Sequence, residues 1–136
     1  MATDTSEITI SLPGGRRVDA RVGTHTVHTD QAREDGGEDA APRPFQLFLA
    51  SIGTCAGIYV QGFCAKRNIP TDGIRLVERP SFDDKGTLVK VELRIELPPS
   101  FPEKYRDAVL RAVEQCSVKR SIQAQPVFDV AVVART

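Results

Sequence analysis

The apolar positions of the chain are concentrated in one long run near its middle. Residues 45–65 contain no charged side chain, and glycine interrupts the run at positions 53, 57 and 62. A segment that is apolar on almost every face predicts a helix over residues 44–66 that is buried on all sides. Gly53 and Gly57 share one face of this helix and would let another backbone approach closely. We therefore expect the rest of the domain to fold around it.

An apolar run of this length is also compatible with a membrane span, so its polar residues matter. Neither a second span nor a basic flank accompanies the run. Four polar side chains interrupt it: Gln46, Ser51, Thr54 and Gln61. The first ten residues are polar and lack the apolar core of a signal peptide. These features favour a soluble, cytoplasmic protein that does not bind a membrane.

Strict alternation of apolar and polar residues predicts strands on both sides of the central helix. Three alternating segments precede the helix and predict an antiparallel meander: residues 6–12, 16–23 and 24–30. An acidic stretch of small residues, 31–43, then predicts a surface loop or lid. Two further alternating segments follow the helix and predict strands over residues 73–82 and 87–97.

The last third of the chain predicts a second, shorter helix and a final strand. Residues 100–103 match a capping box, and apolar residues recur behind it at helical spacing: Tyr105, Ala108, Val109, Ala112, Val113 and Cys116. Residues 117–125 either extend this helix or form another short one. An apolar strand is expected from Pro126 onwards. The order of elements predicts one α+β domain over residues 1–136, with helices packed on antiparallel sheet.

Composition excludes several classes of function. The chain has 18 basic and 18 acidic residues, dispersed along its length, and no aromatic-basic patch that would bind nucleic acid. Three cysteines without a CxxC motif argue against a disulfide framework and against a zinc site. His25 and His28 alternate with Thr and Val as in a strand, so we expect no metal site. The chain also lacks a glycine-rich phosphate loop, and we expect no cofactor.

The cysteines are the candidates for chemistry. Cys55 lies on the central helix, one turn from Ser51 and Tyr59, but a lone buried cysteine is more often a small core residue. Cys55 therefore needs a partner to act as a nucleophile. Cys116 lies at the end of the buried face of the second helix. Cys64 follows Cys55 by nine residues, about half a turn out of phase on a helix, and is expected in the core.

Three segments resemble the OsmC/Ohr family of thiol-dependent peroxidases, and are most similar to its YhfA-type branch. The first is PFQLFLASIGTC, in which Pro44 and Cys55 have the separation that the family shows. The second is EQCSVKRSI, which resembles the family's second cysteine motif. The third is GGRR followed by DGGEDAAPRP. The resemblance covers nearly the whole chain and implies an OsmC-like α+β fold with an intertwined homodimer.

The resemblance also implies a reaction. Cys55 would attack an organic hydroperoxide and become a sulfenic acid, Cys116 would resolve it as a disulfide, and an external dithiol would reduce the pair. Phe45, Gln46 and Phe48 would line the substrate pocket, where apolar side chains favour apolar peroxides. No metal or cofactor is implied.

The sequence departs from the family at several positions. The family carries a glutamate within the first two positions after the proline, which holds an arginine that activates the thiolate; Phe45 and Gln46 occupy these positions here. Arg16 or Arg17 is the candidate arginine, although both could be solvated turn residues, and Arg43 is a further candidate. Ser117 replaces the usual proline after the second cysteine.

These departures leave a second function open. The dimer would then lack fast peroxidase activity, and would bind a small apolar or sulfur-containing ligand or act as a redox-sensitive module. A structural dimer with inert cysteines is the remaining alternative.

Overall fold

The computed structural model describes residues 7–135. The chain divides into two compact units, Met1–Ala50 and Ser51–Thr136. The first contains a three-stranded antiparallel sheet, and the second contains a two-stranded antiparallel sheet and two short helices. A long helix, α1 (Pro44–Lys66), begins in the first unit and continues into the second. The sequence-based prediction of an α+β fold with antiparallel sheets is confirmed.

The sheet of the first unit is the predicted meander. Its strands are β1 (Ile8–Gly14), β2 (Arg17–Val22) and β3 (His25–Thr29), paired in the order β1-β2-β3. Two-residue turns join them, and each turn begins with a glycine at positive φ, +58° at Gly15 and +59° at Gly23. Glycine adopts this conformation without the steric penalty of a Cβ atom, which suits it to tight hairpin turns.

The acidic loop after β3 folds around one buried carboxylate. Asp30 is only 1% exposed, and its side chain accepts hydrogen bonds from the backbone amides of Gln31 (2.7 Å), Glu38 (3.2 Å) and Ala40 (3.1 Å). These amides, first that of Gln31, hold the pKa of Asp30 below its usual value although burial acts in the opposite direction. A 3₁₀ turn, Arg33–Asp35, lies within this loop.

The prediction that α1 is buried on all sides is wrong for the single chain. One face is buried, and it carries Ile52, Cys55, Ala56, Val60, Phe63 and Cys64. The opposite face is open, with Ile58 53% exposed. The elements of a single chain pack against one face of α1, and the other face stays exposed to solvent.

By length and composition α1 could cross a membrane, since its most apolar window has a mean hydropathy of 1.5. Core helices of soluble proteins satisfy the same criterion, and the buried face of α1 packs in the core of the second unit. The predicted close approach of another backbone at Gly53 and Gly57 is not found among the described residues; at Gly53 a side chain approaches instead. A Cβ on Gly53 would lie 2.6 Å from Oε1 of Glu78, whereas none of the described residues lies within 4 Å of a Cβ on Gly57.

The second unit packs α1 against a hairpin and α2. Strands β4 (Arg75–Phe82) and β5 (Leu88–Glu96) pair antiparallel, and α2 (Arg106–Val113) and α3 (Ser117–Gln123) follow them. The core consists of residues from α1, α2 and the segment between β5 and α2: Ala56, Val60, Phe63, Cys64, Phe101, Val109 and Val113. Because α2 ends at Val113 and α3 begins at Ser117, the alternative in which a separate short helix follows α2 is the correct one.

The predicted capping box at residues 100–103 does not form. A 3₁₀ turn, Glu103–Tyr105, precedes α2, and neither element has a side-chain hydrogen bond at its N-cap. Pro102 has an extended backbone, with φ −61° and ψ 122°, and Phe101 is buried in the core. The extended backbone at Pro102 keeps the chain out of the helical conformation until Glu103.

The predicted final strand is absent from the described part of the chain. Residues 126–135 form no regular element, and their apolar side chains are 83% to 101% exposed: Val127, Phe128, Val130, Val132 and Val133. A strand requires a neighbouring edge that satisfies its backbone hydrogen bonds, and this segment pairs with no described strand. Alternation identifies a segment able to pair, but does not supply its partner.

Candidate dithiol site

The structure brings Cys55 and Cys116 together. Cys55 lies on the buried face of α1, and Cys116 is the N-cap residue of α3. The tight turn after α2 holds Cys116 in place, because its backbone amide donates to the carbonyl of Val113 at 3.1 Å. Both thiols are free and buried, and their side chains are hydrogen-bonded to each other.

The surroundings of the two thiols move their pKa values apart. Burial alone would raise the pKa of Cys55, but hydrogen bonds from Cys116, the backbone of Val118 and Ser117 outweigh burial and lower it below the usual thiol value. Burial raises the pKa of Cys116, and the hydrogen bond to Cys55 raises it further. Of the two thiols, Cys55 is therefore the one whose surroundings favour the thiolate, whereas those of Cys116 favour the protonated form.

The first residues of α3 supply most of the donors to Cys55. The Ser117 hydroxyl oxygen lies 3.7 Å from the Cys55 sulfur. The backbone amides of Ser117 and Val118 also donate to this sulfur. Such amides have no acceptor within their own helix, because the first turn of a helix leaves its N–H groups unpaired. The sulfur of Cys55 therefore occupies a position where several donors converge.

Cys64 has the core location expected from its helical phase. It is fully buried among Ala56, Val60 and Phe63, and burial raises the pKa of its thiol. A buried thiol with a raised pKa is poorly reactive. The prediction that Cys64 is a core residue is confirmed.

The candidate arginines lie in the first unit. Arg16 is in the β1–β2 turn, and Arg17 is the first residue of β2. The positive charge of Arg17 contributes to the lowered pKa of Asp30. Both arginines, with Asp30 and residues 36–38, line a cavity of about 90 Å³.

The predicted pocket residues are at the start of α1. The rings of Phe45 and Phe48 are in contact, with centroids 5.4 Å apart. The Gln46 side-chain oxygen accepts a hydrogen bond from the backbone amide of Arg43 at 3.0 Å. Gln46 thus caps the first turn of the helix, a task that needs an acceptor but no charge.

Glu78 is a feature of the second unit that the sequence analysis missed. Its Oε1 atom lies against Gly53 of α1, and its Oε2 atom is buried without a hydrogen-bond partner among the described residues. Burial raises the pKa of this carboxyl, and a hydrogen bond from the Gly53 backbone only partly opposes the rise. The alternation of β4 could have identified this buried position, because Glu78 shares a face of the strand with Leu76, which packs on the core.

An open, mostly apolar groove of about 420 Å³ lies in the second unit, next to the same stretch of α1. Ile52, Leu93 and Ile122 contribute to its apolar lining, and Lys90 and Lys119 contribute its charges. Ile52 lies about one helical turn before Cys55. Within residues 7–135, no group of three His, Cys, Asp or Glu side chains is positioned to hold a metal ion.

The fold and the paired thiols define an α+β protein with a buried dithiol site on its longest helix. Residues 36–131 match the family model described as OsmC-like protein. The chain belongs to this family, as the resemblance in the sequence implies. A search of curated proteins finds no match.

Solved structures show the same fold at low sequence identity. An OsmC-like protein from Mycoplasma pneumoniae is 12% identical, with a TM-score of 0.71 over 91% of each chain. An organic hydroperoxide resistance protein from Elizabethkingia anophelis is 18% identical, with a TM-score of 0.60 over 91% of this chain and 93% of that chain.

A third structure is the organic hydroperoxide resistance protein OsmC from Legionella pneumophila. It is 21% identical, with a TM-score of 0.54 over 89% of this chain and 92% of that chain. At such identities the likeness establishes the fold and not the activity.

Proposed function

We propose that this protein is a thiol-dependent peroxidase that reduces organic hydroperoxides with Cys55 and Cys116. The observation that carries the proposal is the proximity of two free, buried thiols, because Ser117, the residue after Cys116, places its hydroxyl oxygen 3.7 Å from the Cys55 sulfur. The pKa values of the two thiols are displaced in opposite directions, which agrees with this assignment. A lowered pKa supplies the nucleophilic thiolate, and a second thiol in contact with it can resolve the oxidised sulfur. The family includes structures named as organic hydroperoxide resistance proteins, which agrees with this chemistry.

The proposed reaction has two steps in the protein. The Cys55 thiolate attacks the terminal oxygen of the hydroperoxide, the O–O bond breaks, and the alkoxide leaves and takes up a proton to give the alcohol. Cys55 is then a sulfenic acid. The Cys116 sulfur attacks that of Cys55, its proton leaves with the hydroxyl group as water, and a disulfide forms. An external dithiol reduces this disulfide by exchange.

Residues in the first unit complete the proposal. Phe45, Gln46 and Phe48 are the proposed pocket residues, and the aromatic contact of Phe45 with Phe48 suits an apolar peroxide. Arg16 or Arg17 is the proposed cation that assists the thiolate. No metal or cofactor takes part. The proposed location is the cytoplasm, where cysteines remain reduced and dithiol reductants are present.

The proposed assembly is a homodimer. Two apolar surfaces support it: the open face of α1, with Ile58 53% exposed, and residues 127–133, whose valines are 83% to 101% exposed. Contiguous apolar surface of this kind marks a protein interface more often than a free surface. Sedimentation velocity should give a species of twice the chain mass. A monomer at micromolar concentration would contradict the homodimer.

The test of the peroxidase is intact mass under denaturing conditions after a few equivalents of cumene hydroperoxide. The parent should lose the mass of two hydrogen atoms within minutes. Cys116→Ser should instead gain oxygen, since its Cys55 cannot be resolved, and Cys55→Ser should not react. Cys64→Ser is the matched control and should behave as the parent. Absence of reaction in all four proteins would refute the peroxidase.

The groove beside Ile52 supports a second candidate function. A mostly apolar groove of about 420 Å³ is large enough for a small apolar ligand. If the protein binds such a molecule without turnover, cumyl alcohol should raise the melting temperature while cumene hydroperoxide leaves the cysteines unmodified. Oxidation of Cys55 under the same conditions would favour the peroxidase.

A further inference from the structure

The Ser117 hydroxyl is a side-chain group of α3 that reaches the sulfur of Cys55. Its hydroxyl oxygen lies 3.7 Å from that sulfur, although the two residues are 62 positions apart. Ser117 directly follows Cys116 and is the first residue of α3. Folding therefore places two consecutive side chains, a thiol and a hydroxyl, on the same sulfur atom.

We propose that Ser117 is a further catalytic residue of the dithiol site, whose hydroxyl donates a hydrogen bond to the thiolate of Cys55. This inference rests on the proposed function, since it assigns a role in the first step of that reaction. A serine hydroxyl has one donor and rotates to suit its acceptor. Donation to an ionised acceptor stabilises it more than donation to a neutral one, so the contact favours the thiolate over the thiol.

The residue type at position 117 decides how many donors reach Cys55. Serine supplies its hydroxyl and its backbone N–H, and both lower the pKa of the Cys55 thiol. A proline at the same position would supply neither group, because it has no N–H and no polar side chain. Alanine would keep the N–H and remove only the hydroxyl. The side-chain contribution can therefore be separated from that of the backbone.

The role matters because the start of α1 carries no carboxylate that could orient an activating cation towards Cys55. Gln46 is neutral and caps the backbone of Arg43, and Phe45 is apolar. The neighbouring hydroxyl and thiol, with the backbone amides of α3, would then carry much of the stabilisation of the thiolate. Hydrogen bonds to a charged group are strong enough to stabilise the thiolate in this way. Removal of one of them lowers the thiolate fraction by about tenfold.

The test is the pH dependence of alkylation of Cys55 by iodoacetamide, with the modified site identified by peptide mass. Ser117→Ala should raise the pKa of Cys55 and slow its alkylation at pH 7 by about three- to tenfold. Ser117→Thr keeps a hydroxyl and should restore the parent profile. Ser121→Ala is the matched control, because the Ser121 hydroxyl donates to the Ser117 carbonyl at 2.8 Å and not to Cys55.

Two results would overturn the inference. The pH profile of Ser117→Ala could equal that of the parent, or Ser117→Ala and Ser117→Thr could shift it equally, which would indicate a purely structural role. Iodoacetamide involves no peroxide, so the outcome is independent of turnover. A shifted profile in a protein that does not consume hydroperoxide would refute the peroxidase and, with it, a catalytic role, but would support the hydrogen bond from Ser117 to Cys55. An unshifted profile in a protein that consumes hydroperoxide would support the peroxidase and overturn the role of Ser117.

Discussion

Formation of a disulfide between Cys55 and Cys116 should stabilise the protein strongly, because the bond would close a long loop. The loop contains the end of α1, both strands of the hairpin and α2. In the chain-entropy model, closing a loop of about 60 residues lowers the entropy of the unfolded chain enough to contribute about 4 kcal/mol at 25 °C. The Cys116 side chain already acts on the pKa of Cys55, so the two side chains are close in the folded chain.

Urea unfolding measures this difference directly. The parent is either kept reduced or oxidised with diamide, and unfolding is followed by circular dichroism. With a slope of about 2 kcal/mol per molar urea, a gain of about 4 kcal/mol moves the midpoint upward by about 2 M. Diamide oxidises thiols without a hydroperoxide, so the result tests the geometry of the pair and not the peroxidase reaction.

Two variants make the result specific. Cys64→Ser should show the same upward shift as the parent, because Cys64 lies in the core and away from the proposed bond. Cys116→Ser should show no shift. The reasoning is refuted if oxidised parent, with an intrachain bond confirmed by peptide mass, unfolds at the reduced midpoint. A bond between two chains on a non-reducing gel would equally contradict the intrachain assignment.

Two further predictions concern the second unit. Val109→Ala removes two methyl groups from a side chain that is 1% exposed, and should lower the free energy of unfolding by about 2–3 kcal/mol. Leu110→Ala, at a neighbour that is 54% exposed, should change it by less than about 0.5 kcal/mol; comparable losses would contradict the core assignment. The raised pKa of Glu78 means that folding disfavours its charged form, so stability falls as pH rises above 4.5. Glu78→Gln should therefore be more stable than the parent at pH 8 and nearly equal at pH 4, and parallel pH profiles would exclude this explanation.

The sequence predicted those elements whose signal is local. Alternation within single strands identified the meander and the β4–β5 hairpin, and the uncharged run identified α1. The cysteine pairing was not a local property. It depends on the path of the chain through a hairpin and α2, so only the resemblance to a family brought Cys55 and Cys116 together before the structure did.

The failures share a different cause, which is a missing or unexpected partner. Residues 126–134 have the pattern of a strand, but pair with no described strand. The uncharged run of α1 predicted burial on every face, whereas one chain covers one face. At Glu78 the alternation of β4 places a carboxylate on the side of the strand that faces the core. Alternation alone does not predict that a charged residue will be buried at such a position. In each case the sequence shows what a segment can pack against, and not whether that partner exists in the same chain.

The contact between the two thiols can serve both steps of the proposed reaction. While Cys55 is a thiolate, the raised pKa of Cys116 keeps its proton in place, and this S–H is one of the donors that stabilise the thiolate. Once Cys55 becomes a sulfenic acid its negative charge is gone, and with it one of the interactions that raised the pKa of Cys116. The second thiol then loses its proton more readily at the moment when it must attack. Because the two thiols are neighbours in the reduced protein, this step needs no encounter between distant groups, and the sulfenic acid would have a resolving thiol beside it before a second peroxide arrives.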